Sequence, residues 1–251
     1  MLTCLALLGA CQKENGNDSG MELLAESFGG QKASVSGNAT YWVDGETVRI
    51  NGADYTVHFD GSTAYAQNVP EADVYRALYP NTLNSTASLD GNTLTVSIPA
   101  VYTYRESGGR QALDLPMAAY GTSDERLLFK HLTAAVTVEV VNHYGFTIEV
   151  DSVVVSSTDH QLCGTKSITL GDTPTVTTNS SDVDEADRRV AVRFDGGTSL
   201  EVLSGQTAQV QVPVLPVGAS NRFTVEVRVH KADEAEVTCL FSRTQGDGGR
   251  R

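Results

Sequence analysis

Apolar and polar residues alternate along most of this chain. Val136, Val138 and Val140 are interleaved with Thr137 and Glu139, and Val190, Val192 and Phe194 with Ala191, Arg193 and Asp195. The same period returns in Val210, Val212 and Val214 around Gln209 and Gln211, and in Phe223, Val225, Val227 and Val229 around Thr224, Glu226 and Arg228. Successive side chains of an extended strand point to opposite faces, so each run predicts a strand with one face buried and one in water. Turn-forming pairs separate the runs, among them Asn51-Gly52, Asp60-Gly61, Asp90-Gly91 and Val217-Gly218. One short helix is expected, Glu71 to Tyr79, stopped by Pro80. Many short strands between frequent turns predict an all-β chain of β-sandwich architecture.

A shift in pattern divides the chain. Asp114-Leu115-Pro116-Met117-Ala118-Ala119-Tyr120-Gly121 reads as the close of one unit, and Leu127-Leu128-Phe129 leads into the strand-forming stretch from Val136 to Val141. This places one β-sandwich at about 39–126 and a second at about 127–251, each close to the usual size of such a domain.

The first eleven residues follow no such alternation. Leu2 to Leu8 form an apolar run far too short to span a bilayer, and it ends in Leu8-Gly9-Ala10-Cys11 before a polar tract. This resembles a bacterial lipoprotein signal, in which small residues precede a cysteine that is acylated and becomes the mature N-terminus. The resemblance implies a signal peptide at 1–10 and lipidation of Cys11. Residues 11–38 read as a polar tether, a disordered spacer whose apolar island at Met21 to Phe28 is otherwise a first strand or a docked helical turn.

Composition narrows the partners. The 251 residues carry a net charge of −13, which argues against a nucleic-acid partner, since phosphate contacts need Lys and Arg. Of four cysteines, Cys4 and Cys11 belong to the signal, leaving Cys163 and Cys239 in the body. In an oxidising compartment these two either form a disulfide or pack as two buried thiols.

Catalytic motifs are missing. The chain has no Gly-x-Ser-x-Gly elbow, no His-Glu-x-x-His, no Cys-x-x-Cys and no phosphate-binding Gly-x-x-x-x-Gly-Lys-Ser/Thr loop. Its five histidines are scattered. The run Asp182-Val-Asp184-Glu185-Ala-Asp187 lacks the glycine and terminal glutamate of a calcium loop and reads better as a solvated acidic loop. Trp42, the only tryptophan, reads as core rather than as a sugar-stacking platform. No cofactor, metal site or catalytic residue is expected, and the chain reads as a non-enzyme.

Several segments together resemble the Bacteroidetes fimbrillin-like family. They are Trp42-Val-Asp44-Gly45-Glu46-Thr-Val48-Arg-Ile50-Asn-Gly52, Val74-Tyr75-Arg-Ala77-Leu78-Tyr79-Pro80, Thr95-Val96-Ser-Ile98-Pro99, Leu115-Pro116-Met117-Ala118-Ala119, Leu128-Phe129-Lys130-His131-Leu132-Thr-Ala134-Ala135-Val136 and Val212-Pro213-Val214-Leu215-Pro216. The resemblance runs from about residue 40 to 240. It implies two tandem transthyretin-like, Greek-key-type β-sandwiches and a fimbrial subunit or adhesin anchored in the outer membrane and exposed on the cell surface. It also implies cell adhesion through a host or bacterial surface ligand, and assembly with other fimbrial subunits by β-strand exchange. A sandwich missing one strand has an unsatisfied edge and an open apolar groove, which a neighbour's strand fills.

Two features depart from the family. Its polymerising members lose their first strand to an arginine-specific protease, yet no Arg occurs between Cys11 and Val48; Lys13 and Lys32 are the only basic residues there. After Phe241 the chain turns to Ser-Arg-Thr-Gln-Gly-Asp-Gly-Gly-Arg-Arg, which predicts no further strand: either the sequence is truncated there or the second sandwich lacks its last strand. A glycan-binding lipoprotein of the outer membrane is the alternative reading. The 7% aromatic content and single Trp weigh against the multi-aromatic platform that such binders present.

Overall fold

A computed structural model describes residues 20–25, 42, 44–60, 63–85, 88–107, 110–122, 124–171, 174–176, 183–194, 200–217, 222–232 and 239–245. These form an all-β protein with two short 3₁₀ turns, Asn81–Ser85 and Glu185–Arg188. The expected signal peptide at 1–10, the expected lipidation site Cys11 and most of the segment expected to be a tether lie outside the described residues.

The first unit starts with β1 (Met21–Ala25), β2 (Thr47–Ile50), β3 (Ala53–Phe59), β4 (Ala64–Ala66) and β5 (Tyr75–Tyr79). Asn51 and Gly52, both at positive φ, make the two-residue turn between β2 and β3 that strand twist favours. The chain then leaves through β6 (Ser88–Asp90), β7 (Thr93–Ile98), β8 (Val101–Thr103) and the hairpin of β9 (Arg105–Ser107) and β10 (Arg110–Ala112). It returns in β11 (Met117–Gly121) and β12 (Arg126–His131). Strands β1-β12-β11-β5-β2-β3-β4 close into a barrel around Val48, Ile50, Val57, Tyr75, Leu127 and Phe129.

The second unit adds β13 (Ala134–Val141), β14 (Ile148–Ser156), β15 (Gly164–Thr169), β16 (Thr175–Val176), β17 (Arg189–Arg193), β18 (Leu200–Val202), β19 (Thr207–Val214), β20 (Phe223–Lys231) and β21 (Cys239–Gln245). One sheet runs β21-β20-β14-β17-β8, with β18 paired to the other end of β14. The pair β13-β19 and the sheet β16-β15-β7-β6 share a single core with it. The four alternating runs become β13, β17, β19 and β20, and Val190, Val192, Val210 and Val212 are fully buried.

Four expectations change. The boundary at 126/127 is not observed, because β12 belongs to the barrel while β7 pairs with β15 and β8 runs parallel to β17. The second unit therefore draws strands from residues 88–103, and the first is a closed barrel rather than a β-sandwich. Within the apolar island, Met21–Ala25 form strand β1.

The expected helix at Glu71 to Tyr79 is instead strand β5 over Tyr75–Tyr79. Tyr75, Ala77 and Tyr79 enter the barrel core and Leu78 the second core, so both faces are buried and no alternation remains to be read. Strand β11 is the same kind of wall, with Ala118 on one side and Met117 and Ala119 on the other.

At the C-terminal end, Ser242 to Gln245 extend β21 along β20, from Cys239 opposite Val229 to Gln245 opposite Phe223. Main-chain pairing to a long, well-packed neighbour holds a polar strand that side-chain pattern alone does not reveal.

Candidate functional site

The first strand closes the barrel from a distant part of the chain. β1 runs parallel to β12, with Glu22, Leu23, Leu24 and Ala25 opposite Arg126, Leu127, Leu128 and Phe129. On its other side it meets only two residues of β4, Met21 opposite Ala66 and Glu22 opposite Tyr65. Met21 and Leu23 point inward at 4% and 2% exposure, while Leu24 points outward at 36%. Burying those two side chains contributes about 3–6 kcal/mol. Without β1, the edges of β4 and β12 lose their partners and the barrel core opens along a groove.

Arg49, the first arginine, cannot release β1 cleanly. It lies in the middle of β2, paired to Asp54 on β3 and in register with Leu78 on β5. Its guanidinium donates to Asp54 at 2.8 and 3.2 Å, and those hydrogen bonds hold the Asp54 carboxyl below its ordinary range. Cleavage there severs a barrel strand.

The body cysteines do not meet. Cys163 is a free, buried thiol whose Sγ lies 3.3 Å from the Arg189 carbonyl, and burial, then the Asp187 carboxylate, push it up to about 11. Arg189 is in register through Ser156 and Thr224 with Thr244, whereas Cys239 sits five residues earlier on β21. At about 3.4 Å per residue and 4.8 Å per strand the two cysteines are roughly 20 Å apart, against about 7 Å for a disulfide. The bridge between Cys163 and Cys239 is not formed.

Asp187, from the acidic run, has a structural task. Its carbonyl accepts from Leu162 N (2.7 Å) and Cys163 N (3.1 Å), and its carboxylate accepts from Gln161 Nε2 at 3.1 Å. A Cβ on Gly164, which sits at φ +87°, would meet that carboxylate, so only glycine fits. Asp182 lies outside the described residues. Among the described residues no group of three His, Cys, Asp or Glu is placed to hold a metal ion.

Trp42 packs edge-on against Tyr79 (5.2 Å between centroids) and Phe129 (5.1 Å), facing the barrel core. His58 lies beside Tyr65. His230 Nδ1 is 2.8 Å from Asp151 Oδ1 at the bulge where β14 shifts register.

The pattern of the sequence did not single out one surface group. The β13–β14 connection exposes Tyr144 and Phe146 as a stacked pair, 5.2 Å between centroids and 15° between planes. Two aromatics at i and i+2, just past the end of an alternating run, were the available signal. Against known proteins, no family model, no curated sequence and no solved structure matches this chain.

Proposed function

We propose that this chain is a surface-exposed fimbrial subunit or adhesin of the outer membrane, anchored by lipid at Cys11 and joined to other subunits by β-strand exchange. In this reading its two β units are the tandem domains of the fimbrillin-like family, the first closed into a barrel and the second built with strands of residues 88–103. One observation carries the reading: β1 is a five-residue strand, remote in sequence from both neighbours, that fills an apolar groove between β4 and β12. Such a strand is replaceable by one of the same alternation from another chain, which restores the hydrogen bonds and refills the Met21 and Leu23 pockets.

The test cuts the chain at an engineered protease site placed between residues 26 and 41. A labelled synthetic peptide of residues 18–28 then competes with the resident strand. Uptake of the label with the amide protection of β4 and β12 retained is expected; a cut chain that neither takes up peptide nor assembles refutes the exchange. In cells, Cys11→Ala is expected to move the protein out of the membrane fraction. Unchanged anchoring of that variant removes the lipid from the proposal.

A further inference from the structure

Among the described residues, strand β13 has a partner on one side only. It is paired along its whole length with β19, from Ala134 opposite Val214 to Val141 opposite Thr207, with no break in register. Just past its end, Asn142 N donates to Gln206 O and Asn142 O accepts from Gly205 N, so the main chain of Asn142 faces β19. Residues of an antiparallel strand alternate between facing a partner and facing away from it. Ala134, Val136, Val138 and Val140 therefore also face β19, and the amides and carbonyls of Ala135, Thr137, Glu139 and Val141 point away from it. Those groups have no hydrogen-bond partner among the described residues.

Open sheet edges are normally kept short, kinked or guarded by charge. Other end strands follow that rule: β6 and β8 have three residues, β16 has two, and β21 carries a polar run with Arg243. On the far side of β19, Pro213 has no amide and the Gln211 main chain is hydrogen-bonded to the Tyr104 side chain. β13 has eight residues, no proline and no bulge. Its one charged side chain, Glu139, is drawn back over the pair by Gln209, whose Nε2 donates to it at 3.0 Å.

We propose that β13 pairs antiparallel with β13 of a second copy of this chain, making one continuous sheet across a two-fold axis at Val138. In that register Thr137 faces the partner's Glu139 and Ala135 faces the partner's Val141, each pair exchanging both main-chain hydrogen bonds. On the core face Val138 meets its own copy and Val136 meets the partner's Val140, which covers valines that the edge leaves incompletely buried. The strand's own residues select this register. A shift of two residues one way sets Glu139 against the partner's Glu139, and a shift the other way leaves Val141 beyond the end of the partner's strand. That self-complementarity singles out a second copy as the occupant, where an unrelated strand shares only the main-chain bonds. The contact is smaller than a standard interface of about 800 Å² per partner, so the dimer is expected to be weak. A net charge of −13 on each copy opposes it, and added salt therefore strengthens it.

Sedimentation of the whole, uncut chain over a wide range of concentration, at low and high salt, tests the proposal. A monomer–dimer equilibrium that tightens with salt is expected. Hydrogen exchange at dimer-forming concentration is expected to show new protection at the amides of Ala135, Thr137, Glu139 and Val141, and none at Val136, Val138 and Val140, which already bond β19. Thr137 is exposed, so variants there probe the contact and not the core. Thr137→Glu sets two like-charged pairs across the axis and is expected to weaken dimerisation about tenfold or more, whereas Thr137→Lys is expected to strengthen it at low salt. The proposal is overturned if the chain stays monomeric at every concentration, if the new protection falls elsewhere, or if the two variants shift the equilibrium alike. Because β1 stays in place throughout, such a failure bears on β13 alone and leaves the exchange of β1 to its own test.

Discussion

Asn142→Ala is expected to cost about 3 kcal/mol of folding stability, read as a fall in denaturation midpoint at constant slope. The side chain is fully buried and makes three hydrogen bonds, two of them donated to the carbonyls of Phe146 and Val202. Alanine removes the partner of both carbonyls and of the Tyr144 amide beside a side chain that is itself fully buried, and each orphaned group costs about 1–3 kcal/mol, less than additively. Asn142→Asp is the sharper variant. It keeps an acceptor for Tyr144 N but turns a carboxylate toward two carbonyl oxygens, so at neutral pH it is expected to lose at least as much as alanine. A loss under about 1 kcal/mol for either variant means that water reaches the site.

The second large effect is a contrast between neighbours. Leu23→Ala is expected to destabilise by about 2–4 kcal/mol, because Leu23 is 2% exposed inside the barrel and the cavity left is enclosed by β4 and β12. Leu24→Ala, one residue on and pointing outward beside Leu128, is expected to change stability by less than about 1 kcal/mol. Equal effects at the two positions contradict the register of β1. Hydrogen exchange gives a second readout, since Leu23→Ala loosens β1 and with it the amides of β4 and β12 before the second unit is affected.

The strands most legible in the sequence are those with one face in water. β13, β17, β19 and β20 announce themselves because Val and Phe alternate with Thr, Gln, Glu and Arg. β5 hides because its two faces enter two different cores. β21 hides because its hydrogen bonds to β20 carry a polar tail. The transfer of residues 88–103 into the second unit leaves no local trace: it is decided by pairings such as Ile98 with Gly164, more than sixty positions apart. Asn142 reads in sequence as an ordinary loop asparagine, and only the meeting of two remote turns makes it a clamp.

The direction of β1 has a mechanical consequence. β1 and β12 are parallel, and β12 leads directly into β13 of the second unit. A pull between the segment before Met21 and the second unit therefore enters β1 at its N-terminal end and leaves β12 at its C-terminal end. Those are opposite ends of one ladder, so its hydrogen bonds bear the load together in shear, where an antiparallel pair loaded at one end unzips bond by bond. Forced unfolding is governed by the barrier to rupture rather than by equilibrium stability. A domain tugged from its N-terminus thus resists through the same five residues whose removal opens its groove.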